Sequence, residues 1–545
     1  MASPPPPPRW HPPEGGLPEP PHAGRLCLYN SLVDDKVPFV PQGGPASKRI
    51  TWYACGPTVY DSAHMGHARN YVTFDVLRRV MEDYFGYNVL YVMNVTDVDD
   101  KIILRARRAH LVEAWRAELS AAAQAAAATA SSVNGGADGG AAATTTRAAA
   151  EAAAAEAAAG AAAAAYATEA VASAAARQAK KAEEILAQAA AAPADGRAKA
   201  DLATAAKNEA HKLARVEQAA AQLAAIVASA AAAGDGGDGA AVAAAAAAAT
   251  AGASPSFLTV DAVMAVAGDQ VAERLDAERG AAVRDQAIYR AHAARYEREF
   301  FEDTDALGVR RPDVTTRVCE HIPEVVSYVA AIVAQGMAYA SPGGSVYFDV
   351  AAFRAKGHAY GKCKPSAVGV AALASEGEAD FASAEKRGAA DFALWKASRP
   401  GEPAWPSPWG SGRPGWHIEC SAMASAVCGA RLDVHSGGED LKFPHHDNEL
   451  AQAEAHGHAD GCAQWVNYFL HSGHLEIEGL KMSKSLKNFV TIRCVFLGSF
   501  PRLGFFFFFF STRRGDCSGL AFVRRACAPP LFLPPSPLLP PPSSP

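Results

Sequence analysis

The chain has 545 residues and a formal net charge of -6 at pH 7. That length leaves room for two or three domains, and that charge argues against a protein that coats nucleic acid through overall positive charge. The ten cysteines have no regular spacing, which indicates a reducing compartment rather than a disulfide framework. The proline-rich residues 1–24, with Glu14 and Glu19, predict a disordered leader that fits neither a secretory signal nor a transit peptide. We therefore expect a cytoplasmic protein.

The first ordered unit, residues 25–110, carries the pattern of a nucleotide-binding α/β fold. A strand predicted over residues 49–54 runs into the turn signal Gly56-Pro57. Apolar residues at three-to-four spacing then predict a helix. A buried strand over residues 88–95 completes a strand-helix-strand unit with parallel strands.

Residues 111–284 are rich in alanine and are interrupted by glycine-rich patches. Long alanine stretches bury little apolar area per residue, so they rarely offset the entropy lost on ordering. We therefore expect a low-complexity insertion with local helices and no packed core, and we assign it no chemistry.

Order returns in a connective region over residues 285–385. Two helical patterns lie between residues 300 and 341, and the alternation over residues 343–350 predicts a strand.

A second half of the α/β domain is predicted over residues 386–493. It contains a helix over residues 420–428, a strand over residues 432–435 and a turn at residues 437–438. Pro444 suits the first turn of a further helix.

Two motifs carry residues suited to phosphate chemistry. Residues 64–67 (His-Met-Gly-His) stand at a predicted helix start, where oriented N–H groups favour phosphate and Gly66 lets a ligand come close. Residues 481–485 (Lys-Met-Ser-Lys-Ser) lie in a polar loop, and two lysines there suit a leaving pyrophosphate. Taken alone, the first motif also fits two surface histidines at a helix start, and the second an ordinary solvated basic turn.

Four potential metal ligands fall where a predicted strand ends or a neighbouring helix begins, the edge where α/β sheets bind ligands. His445 and Glu449 are four residues apart and share one face of a helix. Two thiolates, one imidazole and one carboxylate suit tetrahedral zinc. Buried unreactive cysteines are common, so spacing alone leaves a structural role open. The four residues are Cys55, Cys420, His445 and Glu449.

Taken together and in this order, the two phosphate motifs resemble the HIGH and KMSKS signatures of class I aminoacyl-tRNA synthetases. The resemblance implies adenylation of an amino acid by attack of its carboxylate on the α-phosphate of magnesium-bound ATP, without a side-chain nucleophile. It implies that His64 and His67 contact the ATP phosphates in the transition state. It also implies that Lys484 contacts the leaving pyrophosphate and that Lys481 shares in catalysis.

Residues 53–61, 416–421 and 443–449 resemble the three segments that supply the zinc ligands of cysteinyl-tRNA synthetases. The resemblance implies one zinc ion per chain, held by the four ligands above and bound directly to the thiolate of the substrate. A serine hydroxyl is a poorer ligand and alanine offers none, so the metal would select cysteine without an editing site. His446 and Cys428 are interpreted as structural neighbours. The implied fold is α/β, a Rossmann-like parallel sheet split by a connective insertion, and the implied partners are L-cysteine, ATP and tRNA(Cys).

The same resemblance assigns further residues to the substrates. Thr96 and Trp416 would line the cysteine pocket, although a threonine at a strand end and a tryptophan near a core also pack for structural reasons. Ser436 stands where the family usually has glycine in its adenosine loop, and it would be strained if that position needs a positive φ. The implied nucleotide-binding set is Gly56, Thr58, His64, Gly66, His67, Gly437, Gly438, Asp440 and Lys484.

The resemblance fails after Arg493, where the family continues into an anticodon-binding domain. Residues 494–545 instead carry six consecutive phenylalanines and a proline-rich end. We therefore expect a truncated form whose aberrant tail arises from a retained intron, a frameshift or a mispredicted gene end, with doubtful tRNA binding. The phenylalanine run is too short to cross a bilayer, so no membrane partner is expected.

Three functions stay open on this basis. The leading one is a cysteine-tRNA ligase. A related cysteine-adenylating ligase would pass cysteine to an amino-sugar, but residues 360–364 and 391–420 resemble the eukaryotic synthetase pattern and argue against it. The third is a catalytically impaired fragment, or a module that only binds zinc and ATP.

Overall fold

A computed structural model gives the fold of most of the chain. The predicted leader and nearly all of the predicted tail lie outside the described residues. None of the described helices is long and apolar enough to cross a membrane. The described residues are 26–133, 141–191, 197–234, 258–369, 385–461, 464–477, 480–482, 484 and 488–497.

The helices and strands alternate along much of the chain. Those of the first part are β1 (Cys27–Asn30), β2 (Asp35–Pro38), β3 (Arg49–Ala54), α1 (Met65–Arg79), β4 (Asn88–Val95), α2 (Asp100–Val133), α3 (Ala141–Ala191), α4 (Arg197–Gly234), α5 (Val260–Arg279) and α6 (Gln286–Ala306). Those of the second part are β5 (Val314–Arg317), α7 (Ile322–Ala334), β6 (Ala338–Ala340), β7 (Val346–Phe348), α8 (Val350–Ala355), β8 (Phe392–Ala397), β9 (Gly412–Pro414), α9 (Trp416–Cys428), β10 (Leu432–Gly438), α10 (His445–His456), β11 (Val466–Ser472), β12 (Glu476–Ile477), β13 (Leu480–Lys481) and α11 (Ile492–Leu497).

The central sheet has five parallel strands in the order β11-β10-β3-β4-β5. Helix α1, extended by a π-helical turn (Val80–Tyr84), joins β3 to β4, so the predicted strand-helix-strand unit is confirmed. The chain runs outward from β3 to β5 on one side and from β10 to β11 on the other, so the strand order reverses between β3 and β10. Open α/β sheets bind ligands beyond the carboxyl ends of the strands at such a point. The expected parallel α/β fold is confirmed.

A second sheet, β6-β7-β8-β9, is antiparallel, and its first two strands lie in the connective region. Apolar side chains of α7 and α9 pack against it, among them Val329 and Ile418 against Phe348 and Trp395. The predicted strand of this region is confirmed as β7. The predicted helix over residues 420–428 begins earlier, at the start of α9, because Gly415 supplies an extended N-cap there.

At the end of β10 one prediction is wrong, and the condition attached to another is not met. Gly437 and Gly438 are not a turn, because they continue the strand and pair with His471 and Ser472 of β11. The expected strain at Ser436 is absent as well, since Asp34 is the one described residue other than glycine with a positive φ. Ser436 has ordinary strand geometry, and its Oγ accepts a hydrogen bond from the indole N–H of a tryptophan in β3 at 2.8 Å.

Helices α2 to α5 pack into a helical unit, so the expectation that residues 111–284 have no packed core is wrong, while the expected local helices are confirmed. Small alanines let the helix backbones approach closely, and larger residues of α2 and α5 supply the apolar area that alanine lacks. At Gly160 a Cβ atom would lie 1.6 Å from the carbonyl oxygen of Leu258. The buried cluster consists of Leu111, Trp115, Ala163, Ala164, Ala167, Val171, Leu223, Val263, Ala267, Val271, Leu275 and Val283.

Candidate active site

A cavity of about 840 Å³ opens beyond the carboxyl ends of the central strands. It is lined by residues that follow β3, β4, β10 and β11, together with the start of α1. Two of the predicted site residues, Gly437 and Glu449, are not part of its lining among the described side chains. Those that line it are Cys55, Gly56, Thr58, His64, Gly66, His67, Thr96, Trp416, Cys420, Gly438, Asp440, His445 and Lys484.

The four predicted zinc ligands lie together, with Cys55, Cys420 and His445 in the lining of this cavity. Glu449 contacts Cys55 and His445. Cys55 Sγ is 4.0 Å from Cys420 Sγ and 3.9 Å from Glu449 Oε1. His445 Nε2 is 3.5 Å from Cys420 Sγ and 2.7 Å from Glu449 Oε1. Ligand atoms around tetrahedral zinc stand roughly 3.3–3.8 Å apart, and only the distance between His445 and Cys420 falls in that range. The fit to zinc therefore rests on the chemistry of the donors, two thiols with an imidazole and a carboxylate.

Local structure explains how residues so distant in sequence meet. Cys55 follows the last residue of β3, Cys420 lies in the second turn of α9, and α10 begins with His445. Glu449 comes one turn later on the same face of α10. At Gly56 a Cβ atom would lie 1.6 Å from the carbonyl oxygen of Asn94, so the backbone after Cys55 can follow this path only with glycine there.

His446 also belongs to this group, although the sequence pattern left it as a structural neighbour. Its Nε2 is 3.3 Å from Cys55 Sγ, and its Nδ1 is 2.7 Å from His471 Nε2. The ligand atoms of Cys55, His445, His446 and Glu449 all lie within 4.8 Å of one another. The cluster therefore offers five donor side chains, and the adjacent histidine pair was the sequence signal for the fifth.

Burial and neighbouring charges shift the pKa values of the buried cluster in opposite directions. Burial raises the pKa of the Cys55 thiol to about 11. Burial would also raise the pKa of Glu449, but His445 and His435 beside it lower that pKa. The protein by itself thus favours a neutral thiol next to a carboxylate anion. A divalent cation would reverse this preference at the thiol, because a coordinating thiol is deprotonated.

Neighbouring imidazoles hold the cluster in position. His435 Nε2 is 2.7 Å from Glu449 Oε2, and its Nδ1 is 2.9 Å from the carbonyl oxygen of Tyr53. His417 Nδ1 lies 3.0 Å from His445 Nδ1. Partners of this kind orient metal ligands and raise their basicity. The sequence pattern did not identify these two histidines, because only the tertiary fold brings them to the ligands.

The histidine motif forms the start of α1. The Gly66 N–H donates to His64 Nδ1 at 3.1 Å, and the His64 N–H donates to His67 Nδ1 at 3.3 Å. The two rings stack with centroids 3.8 Å apart. A Cβ atom at Gly66 would lie 2.9 Å from the His64 ring, so glycine permits this stacking. His64 is buried, so the interpretation as two surface histidines is wrong for this residue.

The lysine motif lies beside the histidine motif. The Met65 N–H donates to the Val490 carbonyl at 2.9 Å, which joins the segment after the motif to α1. Lys484 is buried, and its Nζ donates to the Asp61 carbonyl oxygen at 2.7 Å. Burial lowers the pKa of Lys484 to about 8. The interpretation as a solvated turn is therefore wrong for this lysine, while Ser483, Ser485 and the Lys481 side chain lie outside the described residues.

Two predicted pocket residues stand next to the metal-ligand cluster. The Trp416 ring stacks on the His445 ring with centroids 4.4 Å apart. The Thr96 hydroxyl donates to Glu419 Oε2 at 3.3 Å and accepts from Asn94 Nδ2 at 3.2 Å. Both residues line the cavity, so their positions are compatible with the expected role in substrate binding.

The fold and this cavity define an α/β protein with a nucleotide-type site at the switch point of a parallel sheet. A family model described as the tRNA synthetases class I (C) catalytic domain matches residues 44–512. The chain belongs to this family. The match extends past Arg493, where the sequence resemblance was expected to fail.

Curated relatives agree with the family assignment. The chain is 42% identical over 499 residues to "Cysteine--tRNA ligase, cytoplasmic" of Homo sapiens, covering 89% of this chain and 54% of the relative. The protein of the same name in Mus musculus is 42% identical over 492 residues, covering 89% of this chain and 48% of the relative. That of Drosophila pseudoobscura pseudoobscura is 41% identical over 485 residues, covering 87% and 54%. The chain spans about half the length of these relatives.

Proposed function

We propose that the chain carries the catalytic unit of a cysteine-tRNA ligase, which activates cysteine with ATP and transfers it to tRNA(Cys) in the cytoplasm. The observation that supports this most strongly is a cluster of thiol, imidazole and carboxylate donors, of which Cys55 and His445 line the same cavity as the histidine motif and Lys484. The names of the relatives support the same amino acid, acceptor and compartment.

In this proposal, Cys55, Cys420, His445 and Glu449 hold one zinc ion. Cys420 is preferred to His446 as the fourth ligand because its Sγ approaches both Cys55 and His445, and because two thiolates suit zinc. A zinc ion bound there would supply selectivity, because it would favour a substrate thiolate, a ligand that serine and alanine cannot provide. Trp416, stacked on His445, limits the space beside the substrate side chain.

Activation requires the chain to position two substrates and to stabilise charge. A carboxylate oxygen of cysteine forms a bond to the α-phosphorus of magnesium-bound ATP, the bond to the bridging oxygen breaks, and pyrophosphate leaves. His64 and His67 at the start of α1 hold the phosphates, where the helix N-terminus adds oriented N–H groups. Lys484 neutralises charge on the leaving pyrophosphate, and Lys481 is assigned to the same step.

The remaining nucleotide contacts are assigned to strand-end backbone. Gly56 and Thr58 after β3, Gly438 at the end of β10 and Asp440 after it line the cavity on both sides of the switch point. In the second step, a ribose hydroxyl of the tRNA attacks the activated carboxyl and AMP leaves. Because no side-chain nucleophile is needed, catalysis depends on positioning and electrostatics.

Cysteine-dependent ATP–pyrophosphate exchange tests the proposal. We expect exchange with cysteine and far less with serine, one zinc ion per purified chain, and loss of exchange on chelation or in Cys420→Ser. Folded protein without zinc, or equal exchange with serine, would contradict the proposal. Transfer of labelled cysteine to tRNA(Cys), with an amino-sugar acceptor in parallel, tests the second step.

A further inference from the structure

One wall of the catalytic cavity comes from the helical insertion, which carries none of the sequence motifs. Ala205, Asn208, Glu209 and Lys212 of α4 line the same cavity as Cys55. Their spacing of three and four residues puts them on one face of the helix. The insertion therefore presents a single helix face to the site.

A polar cluster around the buried Glu209 holds this face in place. Glu209 is 6% exposed, and Lys212 Nζ donates to its Oε1 at 2.6 Å. Gln178 of α3 donates to Glu209 Oε2 at 2.5 Å, and Lys181 Nζ lies 3.8 Å from Oε1. Hydrogen bonds between charged groups are among the strongest in proteins. Glu209 thus fixes Lys212 at the cavity wall through one of the three N–H groups that a lysine ammonium offers.

The cavity as a whole is electropositive in its described lining. Four cationic side chains from three separate segments face two carboxylates there. An excess of positive charge in a concave site raises the local concentration of anionic ligands. The cations are Lys101, Arg105, Lys212 and Lys484, and the carboxylates are Glu209 and Asp440.

We propose that α4 of the insertion completes the catalytic cleft and that Lys212 binds a phosphate group of the substrates there. The phosphate belongs either to the nucleotide or to the acceptor strand of the RNA, since both must reach this cavity. Glu209 is a positioning residue that holds the Lys212 ammonium. This inference rests on the proposed function and gives the insertion a direct part in substrate binding.

The test compares Lys212→Ala with Lys207→Ala. Lys207 lies on the same helix, is exposed and does not line the cavity, so it is a matched control. We expect Lys212→Ala to raise one Michaelis constant about tenfold, the effect of losing one charge-assisted hydrogen bond. A rise in the KM for ATP during exchange identifies the nucleotide, and a rise only in the KM for tRNA(Cys) during aminoacylation identifies the RNA strand. Lys212→Arg should recover most of the loss.

The inference is overturned if Lys212→Ala and Lys207→Ala have the same two Michaelis constants. Glu209→Gln should raise the affected KM while kcat stays unchanged. If Glu209 had only a structural role, the substitution would lower the free energy of unfolding without raising KM selectively. If the wild-type chain shows no exchange, the proposed function fails separately. Calorimetric binding of magnesium-bound ATP, and of a short RNA hairpin that copies the acceptor strand, then still compares Lys212→Ala with wild type. Equal affinities for both ligands would overturn the inference.

Discussion

At the edge of the central sheet, thiols, imidazoles and a carboxylate are buried against one another, whereas the insertion buries alanine against a few larger apolar side chains. Glu449 contacts two histidines and a cysteine with almost no solvent access. In the insertion, Ala163 and Ala167 lie in one cluster with Trp115 and Leu275. Polar contacts between specific side chains thus stabilise the first region, whereas close packing of apolar side chains stabilises the second.

This difference predicts how each region responds to substitution. Removing one member of a buried polar cluster leaves a charge or donor without its partner, a cost that depends on chemistry and not on size. In the insertion, adding a single methyl group where two backbones nearly touch forces them apart. Substitutions that keep shape but change charge should therefore affect the sheet edge most, and substitutions that change only volume should affect the insertion most.

The largest expected effect comes from Glu449→Gln, which keeps the shape of the side chain and removes its charge. We expect zinc affinity to fall by at least about 100-fold, more than the loss typical of a residue that only supports a ligand. Glu454→Gln is the matched control, because Glu454 is buried on the same helix but is paired with Lys362. The control should lose stability and keep its zinc. Chelator competition measures the zinc affinity. Equal zinc binding by both variants would contradict the assignment of Glu449, rather than Glu454, to the metal site.

A smaller loss is expected from His435→Gln. His435 contacts Glu449 Oε2 and is not itself a proposed ligand, so zinc affinity should fall roughly 10- to 100-fold. His456→Gln, at the far end of α10, the helix that carries Glu449, is the control and should leave the affinity unchanged. Wild-type zinc affinity in His435→Gln would show that Glu449 needs no orienting partner.

The next effect is a decline of kcat/KM for ATP of about tenfold per pH unit at high pH. Burial lowers the pKa of Lys484 to about 8, so its ammonium loses a proton, and its attraction for phosphate, as the pH rises through that value. We therefore expect kcat/KM for ATP in the exchange reaction to decline above pH 8 by up to about tenfold per pH unit. Lys484→Arg should remove this decline, because a guanidinium stays protonated in that range. A decline that persists unchanged in Lys484→Arg would assign it to another group.

The smallest effects compare two glycines of the insertion. Gly160→Ala places a Cβ atom 1.6 Å from a backbone oxygen, so we expect a loss of about 1–3 kcal/mol in the free energy of unfolding. Gly268→Ala meets only the flexible end of Met264 at 3.3 Å, and it should stabilise α5 by about 0.5–1 kcal/mol. Denaturant unfolding measures both. If the two variants behave alike, the insertion lacks the close helix contact at Gly160.

Much of the catalytic half could be predicted from the sequence, because its signals are local. The bounds predicted for β3 and β4 are those observed, since apolar runs flanked by turn residues specify buried parallel strands. The resemblance grouped Cys55, Cys420, His445 and Glu449, and these four do lie together. Their assigned roles remain proposals.

Two of the errors fell where long-range contacts outweigh local preference. Gly437 and Gly438 look like a turn in isolation, but the ladder with β11 holds them in a strand. The alanine-rich helices look unable to form a core, but packing among α2 to α5 buries them together.

The sequence alone determined the parallel α/β fold, the two motifs and the family, because strand periodicity and motif spacing are properties of neighbouring residues. Only the tertiary structure decided that His435 and His417 support the metal-ligand cluster and that His446 joins it. Only the tertiary structure decided that α4 forms a wall of the cavity. These contacts join residues far apart in the chain, and their formation depends on how separate helices and strands pack, which no local pattern encodes.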